Sequence, residues 1–204
     1  MARVNLEDAA KYSGGGSSFF KLDDGEKKSV RFLYNTLQEV KEAALSVHEF
    51  TGSKYATIDC CRLTTEEPVE NCKWCAGGNR AVLRIVIPIF SIEDNEIQYW
   101  KRSGSFVNDN LIPLFENLPV GAPIAGQTFT LSRTGKDWKD TKYQVAPDMR
   151  VPNDNKTKDQ FGEIKDPFEL KIIKPNDFDF EPEVPAQSQN AQPQQATRRT
   201  ADVF

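Results

Sequence analysis

The chain has 204 residues, with 26 Lys plus Arg against 30 Asp plus Glu, a net charge of −4, one histidine, four cysteines and 38% hydrophobic residues. That length suits one domain of ordinary size with a tail, or two small ones. No stretch approaches the roughly 20 apolar residues needed to cross a bilayer, and the opening Met1-Ala2-Arg3-Val4-Asn5 lacks the apolar core of a signal peptide, so the expectation is a soluble protein that stays where it is made.

Residues 1–27 read as a flexible lead-in, with Gly14-Gly15-Gly16-Ser17-Ser18 followed by the pair Phe19-Phe20. Lys28 to Tyr34 alternates as a strand, with Val30, Phe32 and Tyr34 on one face. Val40 to Phe50 and Tyr55 to Cys60 read as extended segments on either side of Thr51-Gly52-Ser53, and a cysteine-rich insertion spans about residues 48–78. Arg80 to Ile92 is the strongest strand, dense in Val and Ile, and pairs through the acidic turn Glu93-Asp94-Asn95 with Glu96 to Phe106. Val107 to Leu118 carries Leu111, Leu114, Phe115 and Leu118 at helical spacing. Gln127 to Thr134 and Lys142 to Ala146 form the last hairpin, and residues 175–204 read as a disordered tail rich in Pro, Gln, Ser and Asn. Short antiparallel strands with one inserted helix predict an all-β core over residues 28–174, a five- to six-stranded OB-fold barrel with an inserted metal-binding loop.

The acidic total does not exclude a nucleic-acid partner. Asp177, Asp179, Glu181, Glu183 and Asp202 against Arg198 and Arg199 place −3 in residues 175–204 and leave −1 for the rest. A near-neutral body can still gather its cations in one groove, because attraction depends on local potential.

Cys60, Cys61, Cys72 and Cys75 lie within one short segment, and without a secretory signal such spacing points to metal before disulfides. Cys72-Lys73-Trp74-Cys75 is a CxxC knuckle, and His48 with one upstream cysteine completes a four-ligand set of the kind that closes a structural Zn²⁺ site. Adjacent cysteines rarely ligate one ion. Strand alternation puts Cys60 beside Ile58 on the apolar side, which favours Cys61 as ligand, with Cys60 as the alternative if the strand has already turned at Asp59. Buried free thiols are the bland reading, and a redox role lacks a following helix signal. A catalytic zinc needs an open position and a nearby base, which the single histidine does not leave. No Walker A loop, GxSxG elbow or HExxH helix is present, so no enzyme activity is expected.

At these residues the sequence resembles the single-stranded-DNA-binding proteins of tailed bacteriophages. The likeness rests on Gly14-Gly15-Gly16 with Phe19-Phe20, on the series His48, Cys60-Cys61-Arg62 and Cys72-Lys73-Trp74-Cys75, on Tyr99-Trp100-Lys101, on Phe129 to Gly135, and on the tail. The order His, Cys, CxxC is similar to the zinc subdomain of the T-even phage helix-destabilising protein, whose His-to-Cys spacing selects Cys61. The resemblance implies an OB core and sequence-independent binding of exposed strands during DNA replication, recombination and repair in the host cytoplasm. It also implies a tail that recruits partners through Asp202, Val203 and Phe204. Family tails end in a dense acidic run, whereas Arg198-Arg199 interrupts this one.

Strand binders without sequence preference combine aromatic platforms with a cationic groove. Tyr99-Trp100-Lys101-Arg102 is the densest such segment, and if Tyr99 points inward then Trp100 and Arg102 face the DNA. The hairpin loop with Arg133, Lys136, Trp138, Lys139 and Lys142 is the second candidate, and Arg31, Tyr34 and Arg84 follow. Core packing is the competing reading for Trp100 and Tyr34, and a solvated turn for the loop. The rival function is a zinc-stapled protein-interaction adaptor without nucleic-acid binding, and a second rival is a zinc-dependent nuclease. The lack of an apolar association helix favours a monomer.

Overall fold

The computed structural model describes residues 19–51, 55–62, 64, 66–137 and 139–179. Seven strands form one open antiparallel sheet: β1 (Lys27–Phe32), β2 (Ala44–Phe50), β3 (Ala56–Asp59), β4 (Val82–Ser91), β5 (Glu96–Ser103), β6 (Phe129–Thr134) and β7 (Lys142–Pro147). The order is β3-β2-β4-β1-β6-β7, with β5 on the other edge of β4. The expected β-rich core is present, with seven strands where five or six were expected. Among the described residues no ladder closes the sheet into a barrel. No helix there is long and apolar enough to cross a membrane.

β4 organises the sheet. Along one edge it pairs with β5 from Arg84 to Ser91. Along the other it pairs first with β2, from Val82 to Ile85, and then with β1, from Ile89 to Ser91. Pro88 lies in the interval between those two ladders, and its carbonyl accepts from the Leu33 N–H at 2.9 Å. A strand residue directs its C=O and N–H to the same edge, and a hydrogen-bonded antiparallel pair exchanges both bonds, so the N–H that proline lacks is the one that would have returned a bond to the Leu33 carbonyl. The central-strand proline therefore forgoes that return bond and ends the β1 ladder, at a point just before β2 takes over this edge at Ile85.

Both faces of this region are covered. Ile85, Ile87 and Trp100 join Phe32, Leu111 and Phe129 in the main core, while Val86 and Tyr99 lie under Ile172 and Ile173. Burial on two sides explains why residues 85–89 read as an unbroken apolar run instead of alternating. The second cover comes from the long segment after β7, which runs back across the sheet. Arg31 anchors its first part through Asp154 at 2.7 Å, and the Lys165 N–H donates to the Tyr99 hydroxyl at 2.7 Å. A side chain at Gly126 would meet the Asp154 carbonyl at 2.2 Å, so only glycine permits this close crossing.

Two local readings of the sequence change. Val40 is not in a strand: Thr36 caps helix α1 (Leu37–Glu42), its hydroxyl accepting from the Glu39 N–H, and β2 starts only at Ala44. The expected helix over Val107–Leu118 starts earlier and is not uniform. The sequence runs through α3 (Gly104–Phe106), a π-helical turn (Val107–Leu111) and α4 (Ile112–Glu116), separate from the short α2 (Lys73–Ala76) in the cysteine loop. The π-turn seats Val107 and Leu111 in the core just before Pro113. Phe20 and Leu22 of the expected lead-in are buried, whereas Gly14 to Ser18 and residues 180–204, with Asp202, Val203 and Phe204, lie outside the described residues.

Asp148 is the buried polar tie between the returning segment and β1. It accepts from the Ser29 hydroxyl at 2.6 Å and from Arg150, and the Arg150 guanidinium holds its carboxyl well below the usual carboxylate range. Asp148→Ala removes the acceptor of the buried Ser29 hydroxyl and the carboxylate partner of Arg150, and is expected to lower stability in urea at pH 7 by about 1–3 kcal/mol. Because the folded-state pKa lies below the unfolded value of about 3.9, the ionised pair stabilises fully above that value and loses its effect as pH falls. The gap between wild type and variant should accordingly shrink on acidification from about pH 4 to about pH 2.

Candidate metal centre and cationic cleft

The register of β2 against β3 builds the metal centre. His48 stands opposite Ile58, and directly paired residues project to the same face of an antiparallel ladder. Cys60, two residues beyond Ile58, therefore returns to the His48 face, and Cys72 at the start of α2 and Cys75 within it lie over that face. One donor atom from each of His48, Cys60, Cys72 and Cys75 lies within 4.8 Å of all the others. The Cys60 and Cys75 sulfurs are 3.8 Å apart, and His48 Nε2 is 3.3 Å from Cys72 Sγ and 3.8 Å from Cys75 Sγ. These four residues can hold a metal ion. His48, Cys60 and Cys72 are buried and Cys75 is half-buried.

The preference for Cys61 is corrected. Its side chain is exposed and its thiol donates to the Asn71 carbonyl at 2.8 Å, whereas the four converging donors are those of His48, Cys60, Cys72 and Cys75. The apolar side of β3 is itself the metal side, because that side faces His48; alternation had placed Cys60 on the proper face and misread what the face is for.

A second layer orients these donors. His48 Nδ1 is 3.1 Å from Asn79 Oδ1, so an N–H there directs the lone pair of Nε2 at the sulfurs. Burial by itself would raise the Cys72 thiol, but N–H groups of Cys75, Asn176 and Trp74 point at its sulfur and bring it down to about 5. Burial pushes Cys60 up to about 11. The Asn176 amide also donates to the Asp59 carbonyl at 2.8 Å, and the Trp74 indole N–H donates to the Asn176 carbonyl at 3.2 Å. The returning segment thus ends as a clasp on the cysteine loop. Nothing in the local spacing marks Asn176, which lies over a hundred residues from Cys72.

The second feature is a cleft of about 370 Å³ lined by Glu49, Arg84, Lys101, Arg102, Phe106 and Tyr143, with Ser103 at its edge. The Arg102 guanidinium packs over the corner of two rings that meet edge-to-face, 4.2 Å from the centroid of Trp100 and 3.8 Å from that of Tyr143. Its Nε has no hydrogen-bond partner, it makes no ion pair among the described residues, and burial lowers its pKa from the ordinary arginine value. Tyr55, largely exposed, flanks the cleft with its ring under Lys101 Nζ at 4.9 Å.

Several expected contact residues lie elsewhere. Trp100 does not face solvent: it is 2% exposed, boxed by Phe20, Phe106 and Tyr143, while Tyr99 on the opposite face is under the returning segment. Both residues are interior because both faces of β5 are covered, which single-strand alternation does not reveal. Tyr34 and Arg31 are buried, and Arg31 serves the Asp154 anchor. Arg133 donates to the Leu22 carbonyl at 2.7 Å, so it ties down the N-terminal segment. Lys136, Lys139 and Lys142 are exposed at the β6–β7 hairpin, and Trp138 lies outside the described residues. Tyr143 closes the candidate hairpin loop in the sequence and Phe106 carries no signal there; their place in the cleft follows from β7 and α3 meeting β5 through side chains.

Comparison with protein-family models, with curated proteins and with solved structures gives no match for this chain.

Cys60→Ser is expected to abolish stoichiometric metal binding and Cys61→Ser to retain it, as read from metal content per folded chain. Asn176→Ala should weaken metal affinity by about 10–100-fold in competition with a chelator.

Proposed function

We propose that the protein binds single-stranded DNA without sequence preference, and that an OB-type β core carries the strand across the cleft between β5, α3 and β7. The observation that carries this reading is Arg102, a half-buried cation packed on the Trp100 and Tyr143 rings with no carboxylate partner among the described residues. An uncompensated cation in a ring-lined cleft is costly unless an anion completes it. Arg84 and Lys101 stand in the same cleft, and the Tyr143, Phe106 and Tyr55 rings supply faces of the kind on which bases stack. The net charge of −4 does not oppose this reading, because the cations are pooled locally. On this reading the protein covers strands exposed during DNA replication, recombination and repair, and its tail engages partner proteins.

The ion best suited to the metal centre is Zn²⁺. Two thiolates at about 2.3 Å from a tetrahedral zinc lie about 3.8 Å apart, which is the Cys60–Cys75 separation. Three sulfurs and one imidazole leave no open position, so the ion would act as a clamp that ties β2, β3 and the cysteine loop together, its binding energy contributing to folding. Chelation should therefore unfold the loop; retained fold with lost turnover would instead favour the nuclease reading.

Intrinsic fluorescence titrated with oligo-dT tests the DNA reading. Quenching is expected, with log K falling linearly with log salt by about 0.7 per phosphate contact; no change at low salt favours the adaptor. Tyr143→Ala should cost about 1–3 kcal/mol of affinity, the worth of one stacked base.

A further inference from the structure

The two cations beside Arg102 are already engaged, and by a single carboxylate. Glu49 on β2 accepts from Arg84 Nε at 2.9 Å and from Arg84 Nη2, which occupies the two-pronged edge that a phosphate would otherwise take. The same Glu49 accepts from Lys101 Nζ at 3.1 Å. The remaining Lys101 donors go to the Tyr55 hydroxyl and to the Thr57 hydroxyl at 2.8 Å. An ammonium has three donors, so Lys101 can meet a phosphate only by giving up one of these partners. Tyr55 and Thr57 are neutral and compatible with a bound polyanion; Glu49 is not.

We propose that Glu49 is an internal stand-in for a backbone phosphate, which holds Arg84 and Lys101 in place and is displaced when a polyanion enters the cleft. The inference rests on the DNA-binding reading of that cleft and adds its regulation. Arg102, with no carboxylate, is the point of first capture; Arg84 and Lys101 are released only to a ligand that offers further phosphates in succession. The device selects for chain length. A mononucleotide supplies the anion for Arg102 but does not outcompete a carboxylate tethered to the same sheet, whereas successive phosphates of one strand arrive at high effective concentration. Glu49 also keeps two adjacent cations from repelling each other in the free protein.

The test compares wild type with Glu49→Gln, which keeps the shape and one acceptor but removes the charge. Fluorescence titrations use oligo-dT and the mononucleotide dTMP across a salt series. Removing a negative charge a few ångströms from bound phosphates should raise oligo-dT affinity by about 3–30-fold. The salt slope should steepen by about 0.7 for each phosphate newly reached, and the gain for dTMP should be proportionally larger, narrowing the preference for long strands. Glu49→Asp keeps the charge but is one methylene short of bridging both cations, so it should give an intermediate gain and decides the matter if the glutamine variant does not fold. Glu116→Gln, an exposed acid on α4, controls for net charge and should match wild type. Wild-type binding with no gain in either Glu49 variant, or an equal gain in the Glu116 control, overturns the stand-in and leaves the DNA reading intact. If wild type and both Glu49 variants all fail to bind oligo-dT at low salt, the DNA reading itself falls.

Discussion

The sheet depends on β4 serving three partners with two edges. β5 takes one edge along almost its whole length, and β2 and β1 divide the other. The division leaves an interval between the two ladders, and Pro88 ends the β1 ladder there: it accepts from the Leu33 N–H and has no N–H to return. Every other placement follows: β2 carries β3 and the metal loop outward on one side, while β1 carries β6 and β7 on the other. The wrap of these two arms lets Tyr143 of β7 reach Trp100 and Arg102 of β5 without a closing ladder.

The segment after β7 does more than connect the core to the tail. It buries Val86 and Tyr99 beneath Ile172 and Ile173, anchors on Arg31 and Ser29, and ends with Asn176 on Cys72. One stretch of irregular chain thus spans from the middle of the sheet to the metal donors. Its backbone polar groups find partners in side chains and edge carbonyls, as a covered loop requires. The Asp59 and Lys174 N–H groups exchange bonds with Lys174 and Thr57 carbonyls, which also blunts the otherwise open edge of β3.

The metal centre and the cleft solve the same electrostatic problem with opposite signs. At the first, thiol donors and an imidazole converge in a set that can hold a cation. At the second, Arg84, Lys101 and Arg102 converge; Glu49 balances two of them and the Trp100 and Tyr143 π-faces partly stabilise the third. Both are placed by β2, which sends His48 to one face and Glu49 to the other.

Period-two patterning and turn residues made β1, β4, β5 and the β6–β7 hairpin legible along the chain, since each is a local property of a short segment. The CxxC knuckle with its histidine likewise pointed to a candidate metal site through spacing alone. The choice between Cys60 and Cys61 was decided only by the cross-strand register of His48 with Ile58, a relation between distant segments that no single-strand alternation contains. The interior position of Trp100 and the packing of Arg102 on Tyr143 were likewise set by elements far away in sequence. Which face of a strand is solvent is a property of whatever packs against it, and here Ile172, Ile173 and Tyr143 made that decision.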